Sequence, residues 1–195
     1  MLAEGVAGHE YSSELHLRQK AVPTQRFSEV RKRVPIALDA EKRQKSVDAL
    51  NQVLVDTFSL RDLYKKHHWQ VAGHTFYQLH LLFDKHAEEQ LELIDLIAER
   101  IQTLGGVSVG DPRHAAELTT IPRPPDGTES VPVMIDRLLD AHREIIGKVR
   151  RAIDATETSG DWGTNDMLMS DVLRRNELQV WFVSEHVVDV PLVEA

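Results

Sequence analysis

Residues 68–99 read HWQVAGHTFYQLHLLFDKHAEEQLELIDLIAE, and the spacing of their imidazoles and carboxylates decides the architecture. His80 with Asp84, and Asp95 with Glu99, form two i,i+4 pairs on one predicted helix. Residues four apart stack on one helix face, so each pair can aim two ligand groups at one point. Imidazole with carboxylate suits iron and its first-row neighbours. Eleven residues separate Asp84 from Asp95, about 16 Å along an axis that rises about 1.5 Å per residue. One helix therefore cannot bring both pairs to the same ion. Either the pairs are unrelated sites, or a second copy of the chain, antiparallel about a two-fold axis, supplies the missing half of each. The second reading is taken forward. His80 with Asp84 alone would be an ordinary surface pair; His68, Asp95, Glu99 and the Phe, Trp and Gly spacing around them make the case for a metal.

Working outward, Asp39 is an N-cap candidate for a first long helix with Val47, Leu50, Leu54, Phe58 and Tyr64 at three-to-four-residue spacing. Gly73 breaks the chain after His68. A second helix is predicted from about Thr75 to Leu104, with Leu79, Phe83, Leu91, Ile94, Ala98 and Ile101 inward and Gly105 as its stop signal. Residues 105–130 hold Pro112, Pro122, Pro124 and Pro125 and read as a crossover with a short helix around His114–Leu118. A third helix covers about Val131–Thr158. A fourth runs from about Thr164 through Leu168, Val172, Leu178, Trp181 and Phe182 to Val187. Two long hairpins joined by a long connection describe an all-α four-helix bundle with one crossover. An iron site inside such a bundle would need Glu-x-x-His pairs, and the chain has none. That moves the predicted site to a subunit interface. The domain reading is an extended N-terminal arm over 1–35, the bundle over 36–190 and a short tail over 191–195.

The same residues carry a family resemblance. His68-Trp69, Gly73, Phe76, Leu79-His80, Phe83-Asp84, Asp95, Ala98-Glu99-Arg100 and Leu104-Gly105-Gly106 resemble the signature of the Dps family, miniferritins named as DNA-binding proteins from starved cells. The resemblance runs from about Val34 to His186, taking in GDWGTNDML (160–168) and WFVSEH (181–186), with no counterpart for residues 1–30. It implies a ferritin-like fold that assembles as a hollow spherical dodecamer. It also implies Fe(II) oxidation to Fe(III), with hydrogen peroxide preferred over oxygen, and storage of ferric mineral. His68, His80 and Asp84 of one subunit would face Asp95 and Glu99 of its two-fold partner. Trp69 packs beside such a site, and the family also allows it to intercept radicals. His67, His74 and His86 read as surface groups or supports of the ligands; His142 and His186 read as structural. Asp161 and Asp166 have an ordinary role opposing a helix dipole, while the resemblance implies that they line a negative pore for Fe(II). His9, Glu10, Glu14 and His16 are a second metal candidate, suited to zinc, against the plainer reading of a polar tail.

Composition narrows the alternatives. There is no cysteine among 195 residues, which removes disulfides and thiolate metal sites. The N-terminal MLAEGVAGHEYSSE lacks an apolar signal core, and no uncharged run approaches the about 18 residues of a membrane span. A soluble cytoplasmic protein is expected. The net charge of −8 is uneven: residues 1–45 hold nine Lys/Arg against six acids, a net of +3, which leaves −11 for the remainder. An acidic body suits a container for cations. The basic stretch from Arg18 to Arg33 suits phosphates, so DNA binding by a non-enzymatic nucleoid protein is the competing function.

Overall fold

The computed structural model describes residues 23–188. Its first long helix, α1 (Ala40–Gln70), buries Val47, Leu50, Val53, Leu54, Leu60, Leu63 and Tyr64. Asp39 stands at its N-cap position, but the side chain makes no capping bond, contrary to the sequence expectation. The chain reverses over residues 71–75 into α2 (Phe76–Thr103), whose core face is Leu79, Phe83, Ala87, Leu93, Ile94, Ile97 and Ile101. Leu91, expected inward, is 52% exposed. The crossover carries the short helix α3 (Pro112–Leu118), capped by Asp111, which accepts from the amides of Arg113 and His114. The second hairpin pairs α4 (Val131–Ser159) with a fourth long element that is not one regular helix. It consists of α5 (Trp162–Met167), a π-helical segment over Leu168–Leu173, and α6 (Arg174–Ser184). The hairpins pack α1 along both α2 and α4, which gives the four-helix bundle with one crossover that the periodicity predicts. No described helix is long and apolar enough to cross a membrane.

The π segment widens one turn of the fourth element, and the Nδ2 of Asn176 donates to the Val172 carbonyl across it (2.8 Å). Leu168, Val172, Asn176, Gln179 and Val183 then share the buried face. Leu178, Trp181 and Phe182, apolar residues of the predicted fourth helix, lie outward at 44%, 58% and 42% exposure. The sequence pattern misleads here because two polar residues, Asn176 and Gln179, occupy core positions that the apolar side chains would be expected to fill.

Two buried charges tie the irregular segments to the bundle. Arg43, 1% exposed, donates to the carbonyls of Leu38 (3.0 Å), Leu104 (2.7 Å) and Arg31 (2.9 Å). The Gly105 carbonyl accepts from the Arg31 amide and from Gln25 Nε2, each at 2.8 Å. Gly105 has φ +79°, and a Cβ there would sit 2.7 Å from Val34 Cγ2, so only glycine allows this close approach. Residues 23–35 thus lack helix and strand yet lie against the end of α2. Residues 1–22 and 189–195, which include most of the predicted arm and all of the predicted tail, lie outside the described residues.

Asp56 on α1 is fully buried and accepts from the Thr120 amide (2.8 Å), Thr119 Oγ1 (2.9 Å) and Lys148 Nζ of α4 (2.5 Å). One carboxylate therefore holds the crossover to both hairpins. Asp56→Ala leaves the Lys148 ammonium without its partner, and breaking a buried pair in this way costs about 3–5 kcal/mol. Urea titration of the variant should show that loss; an unchanged midpoint would mean that the crossover is held by other contacts.

Candidate metal centre

The last turn of α1 and the first turns of α2 bring His68, His80 and Asp84 together. The two imidazoles stack with centroids 3.8 Å apart and planes 18° from parallel. Their Nδ1 atoms bond reciprocally to each other's main chain: His68 Nδ1 to the His80 carbonyl (2.7 Å) and His80 Nδ1 to the His68 carbonyl (2.9 Å). A carbonyl only accepts, so each Nδ1 carries the proton and each Nε2 keeps its lone pair. This is the arrangement that orients and fixes the tautomer of metal-ligating histidines. His68 Nε2 lies 3.9 Å from Asp84 Oδ1.

Asp84 is not idle in the single chain. Lys65, one turn before His68 on α1, donates to Asp84 Oδ1. That hydrogen bond is the first reason the Asp84 carboxyl sits below the ordinary carboxylate range, with the neighbouring imidazoles adding to it. A cation arriving at Asp84 Oδ1 would compete with the ammonium.

Asp95 and Glu99 lie further along α2, exposed and one turn apart. Among the described residues neither side chain has an ion-pair partner. Along the helix axis Asp95 lies roughly 16 Å and Glu99 roughly 22 Å from Asp84, as the rise per residue dictates. Among the described residues no three His, Asp or Glu side chains of one chain are arranged so as to hold a metal ion by themselves. One chain therefore presents two half-sites and closes neither. Between and beside them α2 exposes Tyr77, Leu81 and Leu91, apolar groups that water leaves unfavourably hydrated until another surface covers them.

The remaining candidates separate. Asp161 is buried and caps α5, accepting from the Thr164 amide (3.2 Å) and from Thr164 Oγ1 (2.6 Å), and it pairs with Arg100 (2.7 Å). Its carboxylate faces inward, in the helix-end role. Asp166 is exposed and accepts from Ser170 Oγ (3.1 Å). Trp69 is 72% exposed, with Lys65 near its ring face. His74 lies at the surface, but His67 and His86 are fully buried in the bundle, not at the surface. His9, Glu10, Glu14 and His16 lie outside the described residues.

Behind the half-site runs a buried polar chain that periodicity does not reveal. The Tyr64 hydroxyl meets His142 Nε2 at 2.7 Å and His86 Nδ1 at 3.1 Å. His142 Nδ1 meets Asn176 Oδ1 at 2.9 Å, and Gln90 donates to Gln179 Oε1 at 2.9 Å. The one sequence signal for it is polar residues at inward heptad positions, such as His142 between Leu138 and Ile145. Burial holds these imidazoles neutral, His142 at about 3 and His67 and His86 at about 4.

Comparison with known proteins agrees with this architecture. The ferritin-like domain family matches residues 47–193. DpsC from Streptomyces coelicolor superposes with a TM-score of 0.87 at 60% identity, covering 89% of this chain and 100% of that one. A Dps protein from Vibrio cholerae O1, described as a member of a broad superfamily of ferritin-like diiron-carboxylate proteins, gives a TM-score of 0.75 at 26% identity over 83% of this chain and 100% of its own. A nutrient stress-induced DNA-binding protein of Nostoc sp. is 33% identical over 143 residues, 73% of this chain and 78% of the relative. The chain belongs to the ferritin-like class and, within it, to the Dps family. A shell assembly fits that family, whose general role is iron storage or DNA protection.

The buried imidazoles set an acid limit. Each folded pKa lies below the ordinary 6.5, so across the window from about 6.5 down to about 3 the unfolded chain binds more protons than the folded one. Stability is complete above that window and declines as pH falls through it, by up to about 1.4 kcal/mol per unit for each such group. Melting at pH 7 and pH 5 should show a lower midpoint at pH 5, and His142→Gln should lessen the difference. Equal midpoints for the parent protein would contradict the buried-neutral assignment.

Proposed function

We propose that the protein oxidises Fe(II) at sites shared between two subunits and stores the ferric product in a dodecameric cage. His68, His80 and Asp84 of one subunit bind the iron together with the partner subunit's Asp95 and Glu99. The observation that carries this reading is the reciprocal Nδ1-to-carbonyl bonding of His68 and His80, which leaves both Nε2 lone pairs free, that of His68 3.9 Å from the Asp84 carboxylate. Three ligands leave coordination positions open, and the unpaired Asp95 and Glu99 on the exposed stripe of α2 are the groups a two-fold neighbour would bring. Their hard oxygen atoms favour Fe(III) over Fe(II), so the site lowers the potential at which bound iron gives up its electron. Hydrogen peroxide is the proposed oxidant, oxygen the slower alternative.

Mixing His68→Gly/His80→Gly chains with Asp95→Ala/Glu99→Ala chains tests the sharing. Each variant lacks the half that the other keeps, so a hybrid interface retains one complete site. Part of the oxidation rate should return on co-assembly. Mixed shells that stay inactive, although shown to contain both chains, would sink the shared-site proposal.

Iron entry is proposed to use the exposed Asp166. Its neighbour Asp161 is engaged by Arg100 and Thr164, so Asp166→Asn alone should remove attractive potential without uncapping α5. Uptake by the variant should slow and lose salt sensitivity; uptake kinetics matching the parent's would remove Asp166 from the entry route.

A second reading, DNA binding, rests on Arg31, Lys32 and Arg33. All three are exposed, while Arg43 grips the carbonyls of Arg31 and Lys32 from beneath and holds the triplet outward. Phosphate contacts from many copies of a shell add through avidity and weaken steeply with salt. Deleting residues 1–33 should abolish low-salt gel retardation while iron oxidation continues. Retardation that survives the deletion would place DNA contacts elsewhere on the shell.

A further inference from the structure

The polar chain in the bundle has a direction that its hydrogen bonds determine. Asn176 Nδ2 donates to the Val172 carbonyl (2.8 Å), which turns its Oδ1 toward His142 Nδ1 (2.9 Å). An amide oxygen only accepts, so His142 carries its proton on Nδ1 and its Nε2 is bare. That bare nitrogen accepts the Tyr64 O–H at 2.7 Å. The Tyr64 oxygen in turn accepts from His86 Nδ1 at 3.1 Å, and His86 Nε2 is left buried without a partner. Tyr64, His86 and His142 are all fully buried.

Tyr64 also lies one helical turn before His68 on α1, between neighbours of the iron half-site. Its ring centroid is 5.9 Å from that of Phe83, the residue before Asp84. The residue after it, Lys65, touches the Asp84 carboxylate. A phenol becomes a very strong acid when it loses an electron, and oxidation is easy only where a base waits at hydrogen-bond distance to take the proton. Here that base is in place without any atom having to move far. The exposed aromatic residues near the site, Trp69 and Tyr77, have no such base in contact among the described residues.

We propose that Tyr64 is a one-electron donor to the peroxide reaction, with His142 as its proton acceptor; this inference rests on the iron-oxidation reading above. Hydrogen peroxide needs two electrons to give two hydroxide ions, and a site holding one Fe(II) supplies one. Tyr64 supplies the second: Fe(II), hydrogen peroxide, the Tyr64 phenol and neutral His142 become Fe(III), two hydroxide ions, a neutral Tyr64 phenoxyl radical and protonated His142. The next Fe(II) returns an electron to the phenoxyl, His142 returns the proton, and the phenol is restored. The O–O bond is thereby cleaved without release of hydroxyl radical, and burial keeps the phenoxyl away from solvent and from other chains.

The test mixes the assembled protein, loaded with no more than one Fe(II) per site, with hydrogen peroxide. Freeze-quenched samples are read by electron paramagnetic resonance and, in parallel, for ferric absorbance. The chain has three tyrosines, Tyr11, Tyr64 and Tyr77. In the Tyr11→Phe/Tyr77→Phe variant, whose bundle core is intact, a tyrosyl signal should persist, and its high-field g-values should be those of a hydrogen-bonded phenoxyl. Tyr64→Phe should lose that signal and release hydroxyl radical to a spin trap, and His142→Leu should shift the g-values. Ferric product without a tyrosyl signal in the Tyr11→Phe/Tyr77→Phe variant would overturn the inference and leave the iron-oxidation reading standing. Absence of ferric product in every sample would overturn both.

Discussion

The two imidazole-to-carbonyl hydrogen bonds between His68 and His80 are the interaction on which the rest of this molecule's chemistry depends. They close the first hairpin at the point where α1 hands over to α2, and they do so with the nitrogen atoms that a metal does not need. Either ring alone could rotate; bonded to each other's backbone, the pair is held with Nε2 free and Asp84 alongside. The local structure of a reverse turn thus determines which tautomer each histidine adopts, and the tautomer determines that the site takes a cation.

A second constraint is geometric. A helix rises about 1.5 Å per residue, and no packing within one bundle brings Asp95 and Glu99 back to His80. The bundle core, where a chain with Glu-x-x-His pairs would house its metal, is filled instead by Tyr64, His86, His142, Asn176 and Gln179. These side chains bond to one another across all four long elements, with His86 Nε2 left unpartnered and the π segment placing Asn176 and Gln179 inward. The result divides the labour: ligands at the end of α1 and along α2, hydrogen-bonded aromatic and imidazole groups inside the bundle.

Much of this is legible in the sequence because helix periodicity is strong where packing is simple. The bounds of α2 and α4 fall within a residue or two of the pattern, and the i,i+4 pairs identify themselves. The fourth element is where the pattern fails. Apolar Leu178, Trp181 and Phe182 suggest an inward face, but Asn176 and Gln179 take it, because their hydrogen bonds to His142 and Gln90 offset the burial of polar atoms. Lys65 at Asp84, Arg43 beneath the Arg31–Lys32 segment and Asp56 under the crossover are equally invisible in one dimension. Each is a charge whose partners lie far away in the chain, and spacing carries no information about them. Asp161 shows the converse: its place before a helix made the capping role legible, while its pairing with Arg100 was not.

The central claim is that one metal site needs two chains. Soaking crystals of the assembled protein in Fe(II) without oxygen, or in Zn(II) as a redox-inert stand-in, and locating the metal by anomalous scattering examines it directly. The account predicts a peak at ligand distance from His68 Nε2, His80 Nε2 and the Asp84 carboxylate of one subunit and from Asp95 or Glu99 of its neighbour. A peak whose protein ligands all come from a single chain, or an occupied site elsewhere with these five residues bare, would contradict it.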